Sequence, residues 1–389
     1  MTKPLLTFLA GALAVPLLAA AQPVMAKAQP EKISGPFTAQ NLTIYFIHGP
    51  SQPGVVPLTL GEAMKSGVTT VYETGQVSRL SIENKSDREV FVQAGDIVKG
   101  GRQDRVISVS LLIPPRSGRI PIGAFCVEQG RWRKRGHESA AKFHSSVNLL
   151  PLRAAKLAMH QPVAKRVVRP RRHAERRIAQ RAPPPRAVHN RSAPQRIVRQ
   201  RIGAGGNRRG LRGGATRQQR VWASVGAMQK KLSRNLKTTV NSGVSESSLQ
   251  LTLEHKKLAK TRDKLIAALR GKADGKADVI GYVFAVNGKI NSGDIYPSNG
   301  LFKKMWPRLL AAAATEAISE KLNAASPRVA LPAVGLVKAF LQVAGRGKAT
   351  ITKLDKRLKR ETRNAKGKAV VMSTRRNDGS FIHRSYVAY

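Results

Sequence analysis

Apolar and polar side chains alternate along much of residues 41–127, the period of strands with one face in a core and the other in water. Strands are predicted over 42–47, 69–73, 79–84, 90–93, 106–113 and 119–127, with turns at 84–88, at 114–118 and at the glycines 95, 100 and 101. One short helix interrupts them. Thr59 and Glu62 stand at the spacing where a hydroxyl and a carboxylate cap each other's backbone, and Gly67 follows the last helical residue. Beyond residue 218 the period changes: 221–235 and 253–269 carry helical spacing, with Leu258, Leu265, Ile266 and Leu269 on one side of the second. Residues 278–286 are apolar on both faces and end in Asn287-Gly288, a pair that tolerates the positive φ of a two-residue hairpin loop, so 289–296 is predicted to return beside them. Helices over 301–324, kinked or restarted at Pro307, and over 332–343 follow. A last hairpin pairs 369–373 with 381–387 around Asn377-Asp378-Gly379. The pattern predicts an α+β fold, with an N-terminal, mostly antiparallel β-sheet or sandwich holding one short helix, then C-terminal helices and β-hairpins.

Residues 153–217 carry neither period. Between Phe143 and Trp222 there is no aromatic side chain, and Pro183-Pro184-Pro185 and Gly213-Gly214 break any helix. Such a stretch buries too little apolar surface to offset its ordering entropy, and a disordered insertion is expected. Its charge is one-sided: residues 165–220, opening on Lys165 and closing on Arg220, hold 18 basic residues against one acid, Glu175, within a chain of net charge +47. Besides a plain solvated linker, this reads as an arm for envelope polyanions or for nucleic acid. The missing aromatics would make nucleic-acid contact phosphate-driven and sequence-blind.

The N-terminus combines Lys3, an apolar run over 5–21 and the small residue Ala26, the order of an export signal; residues 1–26 are expected to be cleaved, with 27–35 a leader. No later stretch is apolar for the ~18 residues of a membrane span, so no transmembrane anchor is expected after cleavage, and a periplasmic or secreted location follows. Cys126 is the single cysteine, which excludes an intrachain disulfide and a Cys-x-x-Cys site. It shares a strand face with Ile120, Ile122 and Ala124, and burial is expected.

Two peptides carry candidate chemistry, residues 93–105 and 125–132. In the first, Gln93, Asp96, Arg102, Gln103 and Arg105 surround Gly95, Gly100 and Gly101, a set able to form a backbone nest with two guanidinium groups reaching one anion. The same residues also read as a glycine bulge in which Asp104 and Arg105 pin two strands. In the second, Glu128 and Arg131 lie past the apolar part of a strand, where they face a cleft. Cys126 and Arg131 superficially resemble the spacing of thiolate loops, but no helix N-terminus follows to activate a thiol, and a hydrolase or transferase using Cys126 or Glu128 is a further reading. His137, Glu138 and His144 lack zinc spacing; no metal and no cofactor are expected. Asn287, Asn291, Asp294 and Tyr296 read as turn and edge residues.

These two peptides, with Asn41-Leu42-Thr43, residues 58–63, Glu73-Thr74-Gly75, Ile82-Glu83-Asn84, residues 281–288, Leu301-Phe302, Met305-Trp306-Pro307 and His383-Arg384-Ser385-Tyr386, resemble the signature segments of the ARG and rhodanese-phosphatase-superfamily-associated domain family. The resemblance spans 35–152 and 218–389. It implies a single α+β domain whose halves, 36–152 and 218–389, join across the basic insertion. It also implies a small anionic ligand, ADP-ribose-like or otherwise phosphate-bearing, near Gln93, Arg102, Gln103, Arg105, Glu128 and Arg131. It brings no catalytic assignment. The arginine-rich insertion looks foreign to the family, and an exported copy would meet few free nucleotides.

Overall fold

The computed structural model describes residues 32–160, 215–322 and 330–389. The expected signal peptide and the part of the basic stretch between 161 and 214 lie outside these residues. The largest sheet has eight strands in the spatial order β1 (Lys32–Ala39), β2 (Leu42–His48), β12 (Val279–Val286), β13 (Lys289–Ile295), β17 (Phe381–Ala388), β16 (Ala369–Arg376), β15 (Leu358–Ala365) and β14 (Lys348–Lys353). A six-stranded sheet runs β11 (Phe143–Leu149), β7 (Asp96–Gly100), β8 (Arg105–Ile107), β10 (Ser117–Cys126), β5 (Arg79–Asn84) and β4 (Thr69–Glu73). A third sheet holds β3 (Leu58–Thr59), β6 (Val90–Val92) and β9 (Leu111–Ile113). The helices are α1 (Leu60–Lys65), α2 (Arg153–His160), α3 (Arg217–Leu236), α4 (Leu249–Leu253), α5 (Lys256–Leu269), α6 (Asn299–Ser319) and α7 (Val334–Gly345). The chain is α+β.

β2 and β12 sit inside the large sheet and are buried along their whole length. Their period-2 sorting makes two cores: Leu42, Ile44 and Phe46 join the main core with α6, while Tyr45 and Ile47 face Val337, Leu341 and Ala344 of α7. β2 pairs antiparallel with β12, so segments on either side of the basic stretch share one hydrogen-bonded ladder.

Local signals hold where local chemistry decides. The Thr59 hydroxyl accepts the Glu62 N–H at 3.2 Å and the Glu62 carboxylate accepts the Thr59 N–H at 2.8 Å, the reciprocal cap that starts α1. Asn287 and Gly288 take φ of +50° and +70° in the two-residue loop between β12 and β13. α6 contains Pro307 as one uninterrupted helix and ends at Ser319 rather than 324.

Elsewhere tertiary pairing overrides pattern. The strand predicted over 106–113 is two strands, because the chain leaves the six-stranded sheet after Ile107 and joins the three-stranded sheet at Leu111. Residues 153–160, which composition grouped with the insertion, form α2 and pack on α3. β14 and β15 were not foreseen, since both are rich in lysine, arginine and threonine; β14 is an exposed edge strand, where charge discourages further pairing.

Candidate functional site

The link between β7 and β8 turns on Gly100 and Gly101, with φ of +113° and +57°. A Cβ at Gly101 would lie 2.3 Å from the Phe143 ring, so this position needs glycine on two counts. The turn sends Arg102 to the surface and buries Gln103, Asp104 and Arg105. Across from it, β10 ends at Cys126 and the loop over 128–138 folds back.

Two buried carboxylates organise the region. Arg135 grips Asp104 with both ends of its fork, at 3.0 and 3.2 Å, and Asp104 also accepts the Gly100 N–H at 3.0 Å and the Ser248 hydroxyl at 2.9 Å. Glu128 accepts Arg131 Nε at 2.7 Å, the Ser245 hydroxyl at 2.5 Å and the Asp104 N–H at 3.0 Å. The remaining Arg131 donors go to the carbonyls of Gly100, Gly101 and Arg133. Arg105 is fully buried; it donates to the Gln103 carbonyl and side chain, each at 3.2 Å, and meets Glu73 at 3.4 Å. Trp132, 44% exposed, stands over this layer with the Arg102 and Arg105 guanidinium groups 5.5 and 5.6 Å from its ring centroid.

The carboxylates titrate as a pair. Burial, joined by the Glu128 charge, pushes Asp104 above the usual range; burial also pushes Glu128 up, but Arg131 and Ser245 outweigh it and hold Glu128 below the usual range. Burial lifts the Cys126 thiol to about 11, and its Sγ rests 3.1 Å from Gln103 Oε1. A thiol of that pKa is protonated at neutral pH and Glu128 is held by Arg131 and Ser245, so the reading of a hydrolase or transferase using Cys126 or Glu128 gains nothing here.

Above the ion pairs lies an open cleft of ≈ 770 Å³, between the loop over 129–136 and the segment 244–247. Arg131 and Arg135 form its floor, Arg133 and Lys134 are exposed on it, and Ser245 and Ser247 face them.

Five of the seven expected site residues therefore converge: Arg102, Gln103, Arg105, Glu128 and Arg131. Gln93 and Asp96 do not join them. Gln93 accepts the Tyr296 hydroxyl at 2.6 Å, and Asp96 pairs with Arg308 at 2.8 Å, at the far end of β7. The expected Asp104–Arg105 pin is replaced by two other pairs, Asp104 with Arg135 and Arg105 with Glu73. Sequence reading missed Glu73, Trp132, Arg135, Ser245 and Ser248. It also missed Gln218 on α3, which exchanges two hydrogen bonds with the Cys126 backbone at 2.9 and 2.8 Å. Of these, Glu73 and Trp132 stood in the signature segments and Arg135 in the basic run after Trp132, while Ser245, Ser248 and Gln218 had no visible signal.

A second buried network joins three distant segments. Asp294 lies 3.2 Å from His383 Nε2, and His383 Nδ1 lies 2.9 Å from the Ser110 hydroxyl, with all three residues buried. Asp294, expected at a turn or edge, belongs to the sheet interior because β13 is flanked by β12 and β17, and Tyr296, just past the end of β13, is fully buried. Burial works to raise Asp294, but the His383 hydrogen bond and charge outweigh it and hold the carboxyl below its ordinary value. Its stabilising contribution is thus present above the unfolded pKa near ~3.9 and lost as pH falls through the lower folded pKa. Denaturant unfolding from pH 7 to 2 is expected to show less acid destabilisation below about pH 4 in Asp294→Asn than in the parent. An unchanged acid limb would mean that Asp294 is not linked in this way.

A family model described as the ARG and Rhodanese-Phosphatase-superfamily-associated Protein domain matches residues 31–387. No curated protein and no solved structure matches the chain.

Proposed function

From the premise that this chain belongs to the ARG and Rhodanese-Phosphatase-superfamily-associated Protein domain family, we propose that it is a binding protein for a small phosphate- or carboxylate-bearing ligand. The observation that carries the reading is the division of labour among the cations. Arg131 and Arg135 are engaged by buried carboxylates and carbonyls, which fixes the floor of the cleft, and Arg105 is likewise held beneath Trp132, whereas Arg133 and Lys134 are exposed on the cleft and Arg102 is exposed beside the Trp132 ring. In this reading Arg102, Arg133 and Lys134 contact the anion. Gln103, Arg105, Glu128 and Arg131 position them, and the half-exposed indole offers a surface for a sugar or base, which suits an ADP-ribose-like ligand. Gln93 and Asp96 act at most through β7. The export pattern at the N-terminus favours a periplasmic or extracellular ligand. The polyanion arm falls mainly outside the described residues.

Titration calorimetry of the full chain against inorganic phosphate, ADP-ribose and sugar acids tests the proposal. A charge-assisted hydrogen bond is worth about 1.5–3 kcal/mol. Arg102→Ala and the double change Arg133→Ala with Lys134→Ala are therefore each expected to raise Kd about tenfold or more. Binding at parent affinity in both variants, or no binding of any of these ligands, overturns it.

A further inference from the structure

We infer that the enclosed cavity between α2 and the eight-stranded sheet is a second site, built for one small oxyanion: inorganic phosphate or the carboxylate end of a ligand, held by Lys156 and Arg360. It is independent of the cleft.

Strand register places the groups. Arg360 is opposite Thr374, and Thr374 is opposite His383, so these three form one cross-strand row over β15, β16 and β17. The next row on that face carries Met372, Ser385 and Asp294. α2 covers the rows with Lys156 and His160, one helical turn apart, and Ser110 closes the side from the β8–β9 link. The cavity measures ≈ 20 Å³. A single water needs about 10–15 Å³, so the space admits one small group and excludes the body of a nucleotide.

The neutral groups in the lining are already committed. Ser110 is held by His383 and the Ala94 N–H, Thr374 donates to the Ser110 carbonyl, and Ser385 bonds Asp294. The cations are not. Among the described residues, neither the Lys156 nor the Arg360 side chain forms an ion pair or hydrogen bond, and Arg360 Nε is buried without a partner. Two carboxylates lie within electrostatic reach of Lys156 without contacting it: Asp294, paired with His383, and Glu316, which accepts the Arg153 N–H at 3.0 Å. Burial and then the charges of Arg360 and Arg217 push His160 down to about 3, so it enters the site as a neutral imidazole. Burial followed by the Arg217 charge also lowers Arg360. Both side chains are half-buried, and an oxyanion in this space would receive the Arg360 fork and the Lys156 ammonium together.

Calorimetry and thermal unfolding of the full chain at constant ionic strength, with inorganic phosphate and separately with acetate, test the inference. Saturable binding of at least one of the two anions is expected. Arg360→Gln and Lys156→Met should each weaken it at least tenfold, with circular dichroism confirming the fold; if Arg360→Gln does not fold, Lys156→Met decides. Arg102→Ala should leave this site intact, so failure of the cleft appears in that variant and failure of the cavity in the other two. Full anion affinity in the folded Lys156→Met protein, or no saturable binding of either anion, overturns the inference.

Discussion

Replacing Asp104 with alanine is expected to lower the free energy of unfolding by about 3–5 kcal/mol, the cost of removing one partner from a buried ion pair. The loss is large because four donors meet on this carboxylate. Arg135 would keep its charge in a buried place with only Glu138, at 2.9 Å, and the more distant Glu128 to balance it, the Gly100 N–H would lose its acceptor in a tight turn, and Ser248, the N-cap of α4, would lose its anchor. Arg131, 3.6 Å away, would keep Glu128 as its carboxylate partner beside its three carbonyl acceptors. Asp104→Asn keeps the shape and one acceptor, so it should cost less. Removing Arg135 at the same time, as Asp104→Ala with Arg135→Met, should recover part of the loss, since the stranded charge goes with its partner. Denaturant midpoints at constant slope measure all three. A loss under about 1 kcal/mol for Asp104→Ala would mean that Glu138, 2.9 Å from Arg135, and Glu128, 3.5 Å from it, suffice to hold that guanidinium, and that the cleft floor does not depend on Asp104.

That network also marks how far the sequence is readable. Gly100, Gly101, Arg102 and Arg105 announce a sharp, charged turn because glycine and arginine are costly to collect without a use, and the turn is there. Its partners come from 31 and 144 residues along the chain, at Arg135 and Ser248, and no local rule reaches that far. Gln93 and Asp96 show the opposite error. They adjoin the turn in sequence, yet the extended strand from Asp96 to Gly100 carries them about 13 Å away at roughly 3.3 Å per residue. Ser110, Asp294 and His383 had no common signal, since their meeting depends on the cross-sheet order β13–β17–β16 and on the break between β8 and β9. The central strand β12 was legible for a simpler reason: apolar side chains on both faces leave a strand nowhere to go but between two cores, whereas β2, grouped with the alternating strands, is buried along its whole length because β1 and β12 flank it.

Gly293→Ala is expected to be the most damaging single-methyl change in the large sheet. Gly293 lies opposite Val283, and Gly281 opposite Ile295, on the paired strands β12 and β13. A Cβ at 293 would stand 2.4 Å from the Tyr282 carbonyl oxygen and 3.0 Å from Val283 Cα; one at 281 would stand 2.5 Å from the Asp294 carbonyl oxygen. These are backbone atoms of a central ladder, so no rotamer change relieves the contact and the strands themselves must part. Overpacking of a core by a methyl group costs about 1–3 kcal/mol, and a rigid backbone neighbour puts this site at the upper end or beyond. The displacement falls on the strand that carries Asp294, so the 3.2 Å contact with His383 should loosen with it. Two readouts then move together: the unfolding free energy at pH 7, and the acid limb that Asp294 governs. Because both glycines act on the same pair of strands, Gly281→Ala combined with Gly293→Ala should cost less than the sum of the two alone. A change within about 0.5 kcal/mol for Gly293→Ala, the range of an inert surface substitution, would mean that β12 and β13 do not approach as closely as this, and with them the placement of Asp294 beside His383 would fall.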